Sequence, residues 1–250
     1  MIKLKNEKEI ELMKIAGKIN YLTHELVKNN IRPGISTKEL NDIAHEFILS
    51  NDATPSFLNY NGFPGSICVS INDEIVHGIP GDYKLKNGDV VSVDIGVYKN
   101  GYHSDAARTH IVGNARKEIV NLVKNTEASL YEGLSVIKDG VLVSEIGRAV
   151  EKFAHRNNLS VVEELVGHGV GENLHEDPDV PNYYVESEDI LKEGMVIAVE
   201  PMLNLGERYI YLSDDDWTIK TDDEMPSAHF EHTVLVTKDG YQILTGEWMI

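Results

Sequence analysis

Two blocks of this chain recur at one spacing, and that recurrence restricts the fold more than any other feature of the sequence. The segment IRPGISTKELNDIAHEF from Ile31 resembles IKDGVLVSEIGRAVEKF from Ile137, an offset of 106 residues (137 − 31). The same offset lays LKNGDVVSVDIG, from Leu85, on LKEGMVIAVEPM, from Leu191. Gly34 falls on Gly140, Glu39 on Glu145, Phe47 on Phe153, Gly88 on Gly194 and Asp94 on Glu200. Two separate blocks sharing one offset describe a duplicated unit. We expect two α+β halves, approximately 31–112 and 137–236, related by an approximate twofold. Each places a carboxylate in a hydrophobic strand, aimed at the shared centre.

The first of these strands belongs to VSVDIGVYKNGYHSDAARTHIV, from Val91 to Val112. Its flanks read as strands, and Asn100-Gly101 is a strong hairpin signal. Asp94 and Asp105 are eleven residues apart (105 − 94). Across an antiparallel pair with an even turn, that separation puts both side chains on one face, opposite or diagonal. At about 5 Å and an effective dielectric near 20, two carboxylates repel by roughly 3 kcal/mol. Something has to offset that repulsion.

Composition narrows the candidates. The chain has 250 residues, enough for one large domain, and a net charge of −18 from 23 basic and 41 acidic residues. That balance argues against a general DNA, RNA or anionic-membrane binder, which needs clustered Lys and Arg. The lone Cys68 excludes an internal disulfide and a four-cysteine zinc module. The start, MIKLKNEKEIELMK, lacks the apolar core of a signal peptide, and no run approaches a membrane span. A reduced, soluble, cytoplasmic protein is expected.

Helical periodicity predicts a first helix over about 6–29, with Leu12, Ile15, Ile19, Leu22 and Leu26 on its apolar face. Ser36 and Glu39 form a capping-box pattern that opens a second helix to about Ser50, striped by Leu40, Ile43, Phe47 and Ile48. Two more read at about 116–138 (Val120, Val123, Leu130, Leu134, Ile137) and 144–158.

Four acids lie in strand-like apolar runs: Asp94, Asp105, Glu200 in VIAVEPM and Glu231 in SAHFEHTVLV. One alone reads equally well as a solvent-facing or edge residue. Four together need partners, and Arg108 is the only cation within the second hairpin strand. Divalent metal ions are the economical answer, a pair of ions bridged by acids being the familiar two-metal hydrolytic arrangement. Of ten histidines, three stand in telling contexts. His168 is flanked by small residues in VGHGVGENLHEDP, and His77 and His175 each open an H-x-x-P pattern before a carboxylate strand. His232, next to Glu231, should face the other side of its strand and be structural.

Three motifs do not carry the chemistry they suggest. HEDPD is no HExxH zinc helix, because Pro178 breaks it. GHGVG lacks the Gly-Lys-Ser/Thr of a phosphate loop, and SDDDWTIKTDD lacks the glycine and spacing of an EF-hand.

The set Asp94, Asp105, His168, Glu200 and Glu231, with GHGVGENLHEDP and SAHFEHT, closely resembles type I methionine aminopeptidases of the pita-bread fold. The resemblance runs from the first helix to EHTVLVTKDGYQILT, and the short N-terminus looks like the bacterial form. It implies an α+β architecture, two pseudo-twofold halves around a central antiparallel sheet, forming a single catalytic domain over 1–250. It also implies that one metal is held by Asp105, His168, Glu200 and Glu231 and the other by Asp94, Asp105 and Glu231. A metal-activated water would attack the first peptide carbonyl, with Glu200 as proton acceptor. His175 would contact the scissile amide or tetrahedral intermediate, and His77 would orient substrate and leaving group. The free amine would approach the Asp94 side. The methionine pocket maps onto Tyr60, Phe63, Cys68, His77, Leu174 and Trp217, a mostly apolar slot suited to an unbranched thioether. Read from composition alone, the three aromatics are core residues.

The metals left open by a mixed carboxylate and histidine site are Co(II), Mn(II), Fe(II) and Zn(II). A monovalent cation is further implied near Asn72 and Ser227. The implied partners are nascent polypeptide N-termini, met by a monomer. Ribosome docking fits an enzyme of nascent chains but draws no support from the acidity. Two departures from the family pattern bear on selectivity: Leu174 stands where many relatives carry an aromatic, and His229 where Gln is usual after Ala228. The rivals are a proline-directed peptidase of the same fold, a metal-free binding module, and an acidic ion buffer, which gives no role to His168, His175 or the pocket.

Overall fold

In the computed structural model, which describes residues 2–247, the sequence echo is an echo of backbone hydrogen bonds. Gly34 N–H donates to Leu85 O and Gly140 N–H to Leu191 O, both at 2.8 Å. Leu85 N–H returns to Ile35 O, and Leu191 N–H to Val141 O, again both at 2.8 Å. Gly34 and Gly140 hold φ of 91° and 85°, a left-handed turn that a side chain would strain. Each turn leads into a helix, α2 (Thr37–Ser50) in one half and α4 (Ser144–Arg156) in the other. Both helices stop the same way: Asn51 and Asn157 turn their side-chain amides back to Phe47 O and Phe153 O. The capping box at Ser36 and Glu39 is present at α2, whereas α4 begins at Val143 without a side-chain cap.

Each half then builds an antiparallel sheet. In the first, the Val90–Lys99 strand lies between Cys68–Ile71 and its hairpin partner Tyr102–Ile111. In the second, the order runs Tyr241–Ile243, His232–Val236, Val196–Val199, Gly167–Gly169, Glu176–Val180. Tyr102–Ile111 meets the 229–233 segment along a central seam. Glu231 N–H donates directly to Ala107 O at 2.9 Å. On either side a threonine hydroxyl replaces the direct bond. Thr109 Oγ1 donates to His229 O at 2.8 Å and accepts from His229 N at 2.9 Å. Thr233 Oγ1 donates to Asp105 O at 2.7 Å and accepts from Asp105 N at 2.9 Å. The residue numbers run in opposite directions, so the seam continues the sheets antiparallel from one half into the other.

Helices cover the outer faces. α2 packs Leu40, Ala44 and Ile48 on Val69, Val93 and Ile95. α3 (Lys117–Ser135) and α4 pack Leu130, Leu134 and Ile146 on Ile197, Val199 and Val234. The third helix stops short of the expected 138, in a turn closed by Ile137 N–H on Leu134 O. Its first turns bury Ile119 and Leu122 rather than Val120 and Val123.

The face expected for the first helix needs correction. α1 (Glu7–Asn30) buries Met13, Ala16, Gly17, Ile19, Asn20, Thr23, His24 and Val27, while Ile15 is 43% and Leu22 38% exposed. The buried stripe is partly polar because it lies on hairpin carbonyls that need donors. The Asn20 amide donates to Ile95 O and His24 Nε2 to Ala106 O. Polar groups satisfied in this way can be buried, so hydrophobic periodicity found Ile19 and Leu12 but missed the polar part of the buried face. No helix among the described residues is long and apolar enough to cross a membrane.

Candidate metal centre and its pocket

Asn100 and Gly101 both take positive φ, 54° and 92°, and form the two-residue turn that fixes the hairpin register. In that register Asp94 faces Ala107 and Asp105 faces Gly96, so the two acids are diagonal neighbours on one face. Cys68 lies directly opposite Asp94 on the other neighbouring strand. The second half supplies Glu200 just past Val196–Val199 and Glu231 at the seam.

His168 occupies the middle of Gly167–Gly169, and its neighbours have to be glycine. A Cβ on either would lie 2.3 Å from a carbonyl oxygen, Ala198 O for Gly167 and Asp177 O for Gly169. The tight fit presses His168 between two strands and leaves its ring one direction. Nδ1 donates to Gly169 O at 2.9 Å, which leaves Nε2 as the free lone pair. That nitrogen lies 3.5 Å from Glu200 Oε1 and 3.9 Å from Asp105 Oδ2. Donor atoms of Asp105, His168 and Glu231 all fall within 4.8 Å of one another.

These groups repel and desolvate each other. Burial pushes the Asp94 carboxyl up to about 7. Burial first, then the charges of Asp94 and Glu200, raise Asp105 well above the usual carboxylate range. Glu200 is raised by burial and by Asp94, and Glu231 by burial, Asp105, Glu200 and Asp94. Burial, reinforced by His175, holds the His168 imidazole down to about 4. Asp94 Oδ1, Asp105 Oδ1 and Glu231 Oε1 are buried with no hydrogen-bond partner among the described residues. Orphaned buried acceptors around one lone-pair nitrogen fit divalent cations, which would supply the missing charge and the missing bonds. Three or more carboxylates and one imidazole suit first-row transition ions.

The carboxylates open onto a cavity of about 330 Å³. Its apolar end is a cluster of Phe57, Phe63, Cys68 and Leu174, backed by Ile79 and Trp217. Phe63 and Trp217 meet edge to face at 5.2 Å. Tyr60 stands at the mouth, 38% exposed, its hydroxyl 2.9 Å from His175 Nδ1. The His175 ring lies 4.1 Å from that of His168. His77 holds a left-handed φ of 60°, unusual for a residue with a Cβ, and it too lines the cavity. Burial, then Asp94, Asp105 and Glu231, raise the Cys68 thiol well above its ordinary value, so it stays protonated and unreactive.

All twelve residues singled out in the sequence for catalysis, metal or substrate line this one cavity. Asn72 and Ser227 are brought together elsewhere, Ser227 N–H donating to Asn72 O at 2.9 Å. His232 faces away, bonded through Nδ1 to Thr245 Oγ1. The acidic SDDDW run forms a turn in which Asp215 caps Trp217 and Thr218. Sequence reading missed Phe57, Asn61, Val76, Leu165, Val166 and Met202 in the lining, and marked His229 only as a departure bearing on selectivity. The apolar five carry no local signal that separates a cavity wall from a core.

Metallopeptidase family M24 matches residues 11–238. Methionine aminopeptidase 1 of Bacillus subtilis (strain 168) is 51% identical over 246 residues, covering 98% of this chain and 99% of that one. The crystal structure of methionine aminopeptidase from Rickettsia prowazekii superposes with a TM-score of 0.97 at 42% identity, over 98% of this chain and 100% of that one. Prolidase from Pyrococcus furiosus, at 23% identity and a TM-score of 0.80, shares the pita-bread fold alone and is covered over 66% of its length. Matched across most of its sequence, and built around an acid and histidine centre of this kind, the chain belongs to metallopeptidase family M24.

Proposed function

We propose that this chain is a metal-dependent aminopeptidase that removes the N-terminal methionine from nascent proteins and peptides whose next residue is small. One observation carries the reading: Cys68 and Asp94 are a directly opposed strand pair, so the apolar slot and the charged floor meet at one register position. A substrate with its side chain beside Cys68 has its backbone over the carboxylates. The slot's flexible-thioether chemistry suits methionine, and relatives named methionine aminopeptidase cover nearly the whole chain.

Asp94, Asp105 and Glu231 would hold one divalent ion, and Asp105, His168, Glu200 and Glu231 the other. Co(II), Mn(II), Fe(II) and Zn(II) are the candidates. When bound, the ions supply positive charge, polarise the first peptide carbonyl and acidify the attacking water. Glu200, at the cavity floor, takes the water's proton. His175, braced by the Tyr60 hydroxyl, faces the scissile amide, and His77 orients the leaving group. The Asp94 side receives the substrate's free amine, which explains a requirement for an N-terminus. A monovalent cation is proposed near Asn72 and Ser227, where the two backbones meet. We assign the activity to one catalytic domain spanning the chain, with Met1 and residues 248–250 outside the described residues, and place it as a cytoplasmic monomer acting on nascent chains, with ribosome docking as a further proposal.

The test is methionine release from Met-Gly-Met-Met and from a Met-Lys peptide, by chelator-stripped protein re-supplied with each metal. Metal-dependent release from the first and little from the second is expected. No release with any ion, from protein that binds two ions, would overturn the reading.

A further inference from the structure

Glu200 is flanked by two imidazoles, one at each oxygen. Oε1 lies 3.5 Å from His168 Nε2, and Oε2 lies 3.8 Å from His229 Nε2. The proposed function gives His168 a part and leaves His229 without one. Yet His229 is 1% exposed, lines the cavity, and its Nε2 is buried with no partner among the described residues. A native fold tolerates such an orphan where a partner completes it in the working state.

The backbone around His229 is unusually well fixed. Its amide and its carbonyl are both held by the Thr109 hydroxyl, at 2.9 and 2.8 Å. Ser92 Oγ, 2.8 Å from the same hydroxyl, braces it from the neighbouring strand. Across the sheet His229 pairs with Met202, two residues beyond Glu200. The imidazole is therefore presented to Glu200 from a rigid support. At 3.8 Å the pair is too long for a hydrogen bond, but the last torsion of a glutamate is soft, and a small rotation closes the gap.

We propose that His229 is a positioning residue for Glu200, its Nε2–H donating to Oε2 and thereby holding Oε1 toward His168 and the ion they share. The inference rests on the metal-centre reading above. A carboxylate with one oxygen tied to the protein presents the other in a single orientation, the service that outer partners give to metal ligands generally.

Chelator-stripped wild type, His229→Leu and His229→Gln are titrated with Mn(II) by calorimetry, Co(II) visible spectra are recorded, and kcat and KM are measured on Met-Gly-Met-Met. The leucine variant should bind the Glu200-side ion about 10–100-fold more weakly and lose kcat by a similar factor, with KM unchanged. The glutamine variant, which keeps an N–H donor, should recover most of both, and the Co(II) spectrum should be common to all three. Should the leucine variant not fold, His229→Phe, closer in volume, makes the same comparison. Wild-type affinity in the leucine or phenylalanine variant would overturn the proposal. So would a glutamine variant as weak as leucine with an altered Co(II) spectrum, since His229 would then be a ligand itself. Ion binding by wild type without methionine release would defeat the aminopeptidase reading instead, while the affinity comparison would still decide the role of His229.

Discussion

The Thr233 hydroxyl donates to the carbonyl of Asp105 and accepts from its amide, so one side chain of the second half holds both backbone groups of an acid in the first. Asp105 lies in a hairpin whose partner strand is on its other side, and these two groups face the seam. The spacing between acids contributed by the two halves thus depends on a threonine 128 residues away in sequence. Thr109 does the same for His229.

Replacing Thr233 by the near-isosteric valine would leave the amide and carbonyl of Asp105 buried without partners. At roughly 1–3 kcal/mol for each orphan, we expect a loss of about 2–4 kcal/mol. Thermal unfolding should show a melting temperature lower by on the order of 10 °C, with Thr233→Ser close to wild type. A valine variant that melts with wild type would mean that the seam is not held by the hydroxyl.

Ion binding and pH are linked with a definite sign. Burial raises Asp94 to about 7, against about 3.9 for a free aspartate. A raised acid favours the fold when protonated, so its contribution to the metal-free protein declines as pH climbs from about 4 through about 7. Ions need the carboxylate, and their affinity rises over the same interval. His168, held to about 4, is already neutral there and brings no competing proton. The difference in melting temperature between Mn(II)-loaded and metal-free protein should widen from about pH 5.5 to about pH 7.5. A constant or shrinking difference would contradict the account.

Asp105 is raised by burial first and then by the charges of Asp94 and Glu200. Asp105→Asn removes the cost of burying that carboxyl among other acids, whether it is met as charge or as protonation, and the metal-free protein should gain on the order of 1–3 kcal/mol at neutral pH. The same variant should lose the melting shift caused by Mn(II) and lose methionine release. Metal-free destabilisation would show that the carboxylate is held by contacts other than ions.

Lys5 and Glu176 form a buried ion pair at 2.6 Å, their side chains 4% and 8% exposed. Glu176 follows His175 and also accepts from Asn173 N, so the pair fastens the loop that carries Leu174 and His175. Lys5→Met strands a buried carboxylate and should cost about 3–5 kcal/mol, with Lys5→Met/Glu176→Leu recovering much of it. Denaturant unfolding of the two variants measures this directly, and equal stability of the single and double variants would refute it.

Local features were legible in the sequence. Gly34 and Gly140 announce equivalent positions in two repeats, Asn100-Gly101 announces a hairpin, and period-2 alternation puts Asp94 and Asp105 on one face. The apolar face of α1 was misread because burial there is governed by carbonyls of another element, which Asn20 and His24 satisfy. Phe57 reaches the slot because Gly96, opposite Asp105, has no side chain: a Cβ there would lie 2.6 Å from the Phe57 ring. Neither fact has a signal in its own segment.

The amino-acid sequence by itself determined two duplicated halves, the strands that carry the acids, and the shared face of Asp94 and Asp105, because turn conformation and strand alternation depend on neighbours a few residues away. Tertiary structure alone decided how far Asp105 lies from His168 and Glu231, which way the His168 lone pair points, and that His229 stands beside Glu200. Desolvation and Coulomb energy depend on distances between residues far apart in the chain, and those distances exist only once the threonine seam has joined the two sheets.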